Sequence, residues 1–174
     1  MFDFSKDLFP MLLRDRKPMY GYVASEYWCD IGDLNAYQQC HFDILEGKVH
    51  VELDAHDIGG KVFVEEGVEI GNNARVEGPV VIGKNTRIKN DAEILPFSII
   101  GSDNTIGEHS SIKRAILWKA CNIGERVELR GCTLCNKVQI KNNSAVFEQS
   151  IIGDETLVKE RAVVKPGIKI WPSK

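Results

Sequence analysis

Long apolar runs are missing from this 174-residue chain. None approaches the roughly 20 residues of a membrane-spanning helix, so no membrane partner is expected. A basic surplus is missing too. Against 25 Asp and Glu stand only 22 Lys and Arg, for a net charge of −3, and that balance argues against nucleic acid as a partner. The residues after Met1 have neither the positive stretch nor the apolar core of a secretory signal. Cysteines number five, an odd count that no fully paired disulfide framework accommodates, and a reduced, cytoplasmic protein is expected. Histidines number four, which leaves little for imidazole-based metal chemistry.

What the chain has instead is a period. From Val64 an aliphatic residue returns every six positions: Ile70, Val76, Ile82, Ile88, Ile94, Ile100, Ile106 and Ile112. The series resumes at Leu117, Ile123 and Leu129, and again from Leu134 to Ile170. Two steps, 112 to 117 and 129 to 134, are five residues long. The fourth residue after each aliphatic is mostly small or β-branched, as at Val68, Thr86, Ser98, Ser110 and Ser144. A period of six suits neither a helix nor a simple half-buried strand. It suits a short strand and a turn, three of which close one coil of about 18 residues. Six coils at about 4.8 Å each would make a prism roughly 28 Å long. Gly71, Gly83, Gly101, Gly107, Gly124 and Gly153 follow ladder residues, and asparagines fall at corners that favour positive φ.

This pattern resembles the hexapeptide-repeat family of left-handed parallel β-helices. The handedness is what the resemblance implies, because general rules favour right-handed crossovers. The expected fold is therefore mainly β: a left-handed parallel β-helix over residues 62–174, after a linker at 47–61 and a short α/β remnant at 1–46.

The first sixty residues lack the period. Ser5 could cap a helix through Leu8–Leu13, with Pro10 near its start. Residues 19–24 and 27–31 read as two strands. Asp33 reads as the cap of a helix from Leu34 to about Leu45, with Leu34, Tyr37, His41, Ile44 and Leu45 on one face and Gly47 as its stop. So little structure cannot close a core alone.

Three stretches carry a second resemblance: Phe2-Asp3-Phe4-Ser5-Lys6-Asp7-Leu8-Phe9-Pro10, Tyr20-Gly21-Tyr22-Val23-Ala24, and Tyr27-Trp28-Cys29-Asp30-Ile31-Gly32-Asp33 followed by Tyr37. Together they are similar to the end of the catalytic domain in sugar-1-phosphate nucleotidyltransferases, nearest to mannose-1-phosphate guanylyltransferase, where a β-helix follows. The resemblance implies a nucleoside triphosphate and a sugar 1-phosphate as substrates of the intact enzyme, and Mg²⁺ as its cofactor. It places one metal-binding carboxylate at Asp30. Hard carboxylates holding Mg²⁺ neutralise crowded phosphoryl oxygens, which gives that role a physical basis. The bland alternative for Asp30 is a turn cap. The glycine-rich nucleotide loop of the family is absent here, so the chain is expected to be a C-terminal fragment, inactive alone, that assembles subunits into a homo-oligomer.

Three other readings compete. Hexapeptide-repeat acyltransferases use a histidine base, and His109 is the single histidine within the coils. A γ-type carbonic anhydrase needs three histidines around one metal, which the sequence hardly supplies. A non-catalytic scaffold or regulatory module is the third, with Phe63, Ile116, Trp118 and Phe147 as outward contact residues. Cys132 and Cys135 have C-x-x-C spacing, but Leu134 of the ladder lies between them, and small side chains filling small slots is the simpler account.

Overall fold

Ladder aliphatics spaced six apart can share one interior only if the chain turns a corner after each. In the computed structural model, which describes residues 2–174, it does so throughout. Three parallel sheets result. The first face carries eight strands, from His56–Asp57 to Lys169–Ile170, and the second and third carry six each. Only the opening strand, His56–Asp57, runs antiparallel to its neighbour, Val62–Val64. The expected solenoid of about six coils is present.

Register follows the aliphatic ladder. On the first face Ile82 pairs with Ile100, Ile100 with Leu117 and Leu117 with Leu134. Eighteen residues separate Val81 from Ile99, but seventeen separate Ile99 from Ile116 and Ile116 from Thr133. Both short steps lie at the same corner, between the third face and the first. Arg114 and Gly131 occupy these tightened corners with φ of 52° and 59°.

The interior is filled by the ladder side chains. Ile82, Ile94, Ile100, Ile106, Ile112 and Leu134 are fully buried. The small positions carry hydroxyls that cap carbonyls of the next coil: Thr86 Oγ1 donates to Gly101 O at 2.8 Å, Ser110 Oγ to Gly124 O at 2.7 Å, and Ser144 Oγ to Lys159 O at 2.8 Å. Asn104 breaks the small-residue pattern yet is fully buried. It donates to Gly101 O and Trp118 O and accepts from the Cys121 N–H, so it ties its own coil to the next. Among the described residues no buried side-chain nitrogen or oxygen lacks a partner, as buried polar groups require. The ladder glycines have a steric reason. A Cβ on Gly101 would sit 2.7 Å from the Trp118 carbonyl oxygen of the coil below.

Two helices precede the solenoid. A wide helical turn, Phe4–Leu8, runs into α1, Phe9–Arg14. Its cap is Asp3, which accepts from Lys6 N at 2.7 Å, and not Ser5. The second helix, α2, spans Leu34–Glu46, with Asp33 accepting from Ala36 N at 2.7 Å and Gly47 closing it at φ 86°. Between them the expected strands at 19–24 and 27–31 do not form. The chain there is extended and exposed, because a strand needs a neighbouring backbone to bond and none of the described residues supplies one.

Candidate functional site

Helix α2 lies along the outer surface of the first face. At 13 residues it is about 20 Å long, which matches about four coil steps of 4.8 Å. Phe42 and Leu45 are its buried apolar residues. Phe42 meets Phe97 edge-to-face at 5.8 Å, and the Arg114 guanidinium lies 4.6 Å from the Phe42 ring centroid. Gln38 Nε2 donates to Thr133 Oγ1 at 3.0 Å and to Gly131 O at 3.3 Å. Trp118 Nε1 donates to the Tyr37 hydroxyl at 2.9 Å. Arg114 and Gly131 are the two tightened corners, so the irregularities of the repeat sit beneath the helix. Ile116 and Thr133 point outward from the solenoid but are only 2% and 3% exposed. The expected contact patch at Ile116 is thus already covered by the chain itself. Phe63 and Phe147 are half-buried, and Arg130 stacks over the Phe147 ring at 4.8 Å.

Beside this seam the extended arm is pinned to α2. The Tyr27 hydroxyl donates to Asp43 Oδ2 at 2.8 Å. Asp43 Oδ1 accepts from Lys48 Nζ at 2.8 Å and from Gln39 Nε2 at 2.9 Å. Bonds from Lys48, then Tyr27, then Gln39 hold the Asp43 carboxyl down at about 2. The hydrogen bond to Asp43 raises the Tyr27 phenol, and the Asp43 and Glu46 carboxylates raise the Lys48 ammonium. Sequence reading missed Gln38, Phe42 and Asp43. For Gln38 and Phe42 the 38/42/45 stripe with Leu45 was the available signal.

Asp30, the residue to which the sequence resemblance assigns a metal, is exposed on the arm just beyond Tyr27. Its carboxylate lies 3.8 Å from where a Cβ on Gly32 would stand, an ordinary contact distance. A hard, accessible oxygen donor suits Mg²⁺, which takes one or two carboxylates and fills its remaining positions with phosphate and water. No group of three His, Cys, Asp or Glu side chains fit for a metal occurs among the described residues. Asp30 therefore fits as one ligand and not as a complete centre. Close by, Ile31, Leu34, Tyr37, Trp118, Cys135 and Ile151 line an open apolar cleft of about 390 Å³ between arm, helix and first face.

The cysteines are all free thiols. Cys132 fills an interior slot, fully buried, and burial pushes its thiol up to about 12. Cys121, also buried, is raised to about 11 for the same reason. Such thiols are inert, in keeping with the small-slot reading. His109 is exposed at a corner with φ 58°. Among the described residues no helix is long and apolar enough to cross a membrane.

Comparison with known proteins adds the following. The family model described as "EIF2B subunit epsilon LbH domain" matches residues 59–168. A glucose-1-phosphate adenylyltransferase of Acetivibrio thermocellus is 27% identical over 188 aligned positions, covering 97% of this chain and 41% of its own length. The enzyme of the same name from Desulfitobacterium hafniense is 24% identical and covers 95% of this chain. The chain spans less than half the length of these relatives, 41% and 44% respectively. Among solved structures, a putative acetyltransferase of Bacillus cereus superposes with a TM-score of 0.60 at 20% identity, over 64% of this chain and 69% of that one. The B. cereus N-acyltransferase AntD gives 0.58 at 20% identity over 66% and 78%. At such identities the likeness is one of fold.

Proposed function

Because the chain belongs to the EIF2B epsilon-subunit family of left-handed β-helix domains, and its relatives along nearly its whole length are sugar-1-phosphate nucleotidyltransferases, we propose that it is the β-helix arm of a nucleotide-sugar synthase. In the reaction proposed for the intact protein, an oxygen of the sugar 1-phosphate bonds to the α-phosphorus of a nucleoside triphosphate. The bond from that phosphorus to the bridging oxygen breaks, and diphosphate leaves. Mg²⁺, when bound, supplies charge that neutralises the phosphate oxygens. Asp30 is the residue of this chain proposed to hold it. The β-helix is proposed to assemble subunits into a homo-oligomer.

One observation carries this reading: the match to the A. thermocellus enzyme covers 97% of the chain. It therefore includes the arm and α2, which a generic hexapeptide repeat would not explain. The acyltransferase alternative has weaker support. Likeness to acyltransferases is confined to the fold, His109 points into solvent at a corner, and the ladder runs without a long excursion from any coil. Two substrate pairs follow from different observations. The relatives' names favour ATP with glucose 1-phosphate, and the N-terminal sequence resemblance favours GTP with mannose 1-phosphate.

The test begins with the size of the native product in the source cells, using antibody raised to this chain. A band well above 19.5 kDa is expected. That longer product and this chain are then assayed side by side for diphosphate release with panels of nucleoside triphosphates and hexose 1-phosphates. Release by the longer product and none by this chain is the expected result. A native product of 19.5 kDa, or a longer product inactive on every pair, would sink the reading.

A further inference from the structure

The arm that carries Asp30 has no helix or strand of its own, yet it is not loose. Its backbone amides from Met19 to Gly32 make no bond to backbone carbonyls among the described residues. Order has to come from side chains, and two supply it. On one side of Asp30 the Tyr27 hydroxyl donates to Asp43 at 2.8 Å. On the other, Asp33 caps α2 by accepting from Ala36 N at 2.7 Å. The five residues between these pins, Trp28 to Gly32, form a short loop stapled at both ends to one helix.

That helix is in turn fixed to the solenoid by Phe42 on Phe97, Gln38 on Thr133 and Tyr37 on Trp118. Asp43 itself is 7% exposed and cannot swing freely, because Lys48 and Gln39 hold its other oxygen. A continuous path of contacts thus runs from the coils of Phe97, Trp118 and Thr133 through α2 and Asp43 to Tyr27 and the Asp30 loop.

We propose that Tyr27 is a positioning residue: its hydroxyl, anchored on Asp43, sets where the β-helix presents the Asp30 carboxylate. This rests on the reading of Asp30 as a metal ligand, and it deepens that reading. The solenoid is more than an assembly platform in this view, because any shift of α2 along the first face is passed to Asp30. Tyr27→Phe keeps the ring and removes the hydroxyl that donates to Asp43. Asp43→Ala removes the other half.

The experiment is ¹⁵N relaxation on the chain as it stands, in the wild type and in both variants. Trp28 to Gly32 should be rigid in the wild type, with order parameters near about 0.85, and should fall below about 0.6 in Tyr27→Phe. Leu34–Glu46 should stay unchanged in that variant. A loop equally ordered in Tyr27→Phe and Asp43→Ala, or already mobile in the wild type, would overturn the proposal. Mn²⁺ is then added as the metal probe. Paramagnetic broadening centred on Asp30 in the wild type, abolished by Asp30→Asn and weakened at least severalfold by Tyr27→Phe, supports the link to the metal. Loop mobility that changes without any Mn²⁺ broadening refutes the metal reading of Asp30 and leaves the Tyr27 anchor standing.

Discussion

Replacing Phe42 with alanine separates the helix from the solenoid it lies on. Phe42 is 6% exposed, and its ring is held between Phe97 and Arg114. Phe→Ala at buried sites costs about 3–5 kcal/mol. The helix has little to set against that. Burial of Phe42 and Leu45 contributes about 1.5–3 kcal/mol each, and each polar contact of Gln38 and Tyr37 about 1 kcal/mol. Much of this sum is offset by the ordering of the arm. A 13-residue helix is marginal on its own in water, so an undocked α2 is an unfolded one. Native-state amide exchange reads this directly. A loss of about 3 kcal/mol is about a hundredfold in the opening equilibrium, so protection across α2 should drop by two decades or vanish. The ladder amides of the second and third faces should keep theirs. Arg114→Gln should cost less, about 0.5–1 kcal/mol, and lower α2 protection only a few-fold. Protection of α2 within threefold of wild type in Phe42→Ala would refute the docking argument. An equal loss across all three faces would show that α2 is not a separable unit.

Other outcomes follow from the same geometry. Ile106→Ala opens a cavity between Ile88 and Ile123 and should cost about 2–5 kcal/mol in urea denaturation, whereas Ile70→Ala, 40% exposed at the end of the same ladder, should cost less than half as much. Gly101→Ala places a methyl 2.7 Å from the Trp118 carbonyl oxygen and should lower the melting temperature by many degrees, while Gly21→Ala, with nothing within 4 Å, should leave it unchanged. The Asp43 carboxyl falls from its usual 3.8 to about 2 on folding, so its contribution is complete above pH 4 and is lost as pH falls through about 2. Urea midpoints between pH 5 and pH 2 should therefore decline more gently in Asp43→Asn than in the wild type.

The solenoid was legible because one residue type repeats at one spacing, and Ile82, Ile100 and Leu134 could be placed on one face from the sequence. Even the two shortened coils were countable. The position of α2 was not. Nothing in Phe42 or Gln38 names a partner, and the residues that receive them, Phe97, Arg114 and Gly131, lie 55 to 93 positions away. The strands expected at 19–24 and 27–31 show the opposite limit. Alternating apolar residues such as Tyr20 and Tyr22 favour extended backbone, but a sheet is a property of pairs, and no pairing partner for them lies among the described residues. Asp30 was singled out through a motif, and its tether through Tyr27 and Asp43 became visible only once the helix was in place.

A stack of coils is by nature a one-dimensional object. Each coil touches only the one above and the one below, so such a stack can fray from either end and lose coils singly. Helix α2 changes that arithmetic. Through Gln38 it holds the coil of Thr133 and through Phe42 the coil of Phe97, and its far end lines an open cavity together with Lys61 and Phe63 of the first coil. No coil within that span can slip or open without breaking the contacts of its distant neighbours. The helix acts as a splint, and the two shortened corners are where it is screwed to the stack. Melting of the splinted coils should accordingly be a single cooperative event, while the last coil, from Ile151 onward, retains the looser, independent fraying of an ordinary repeat.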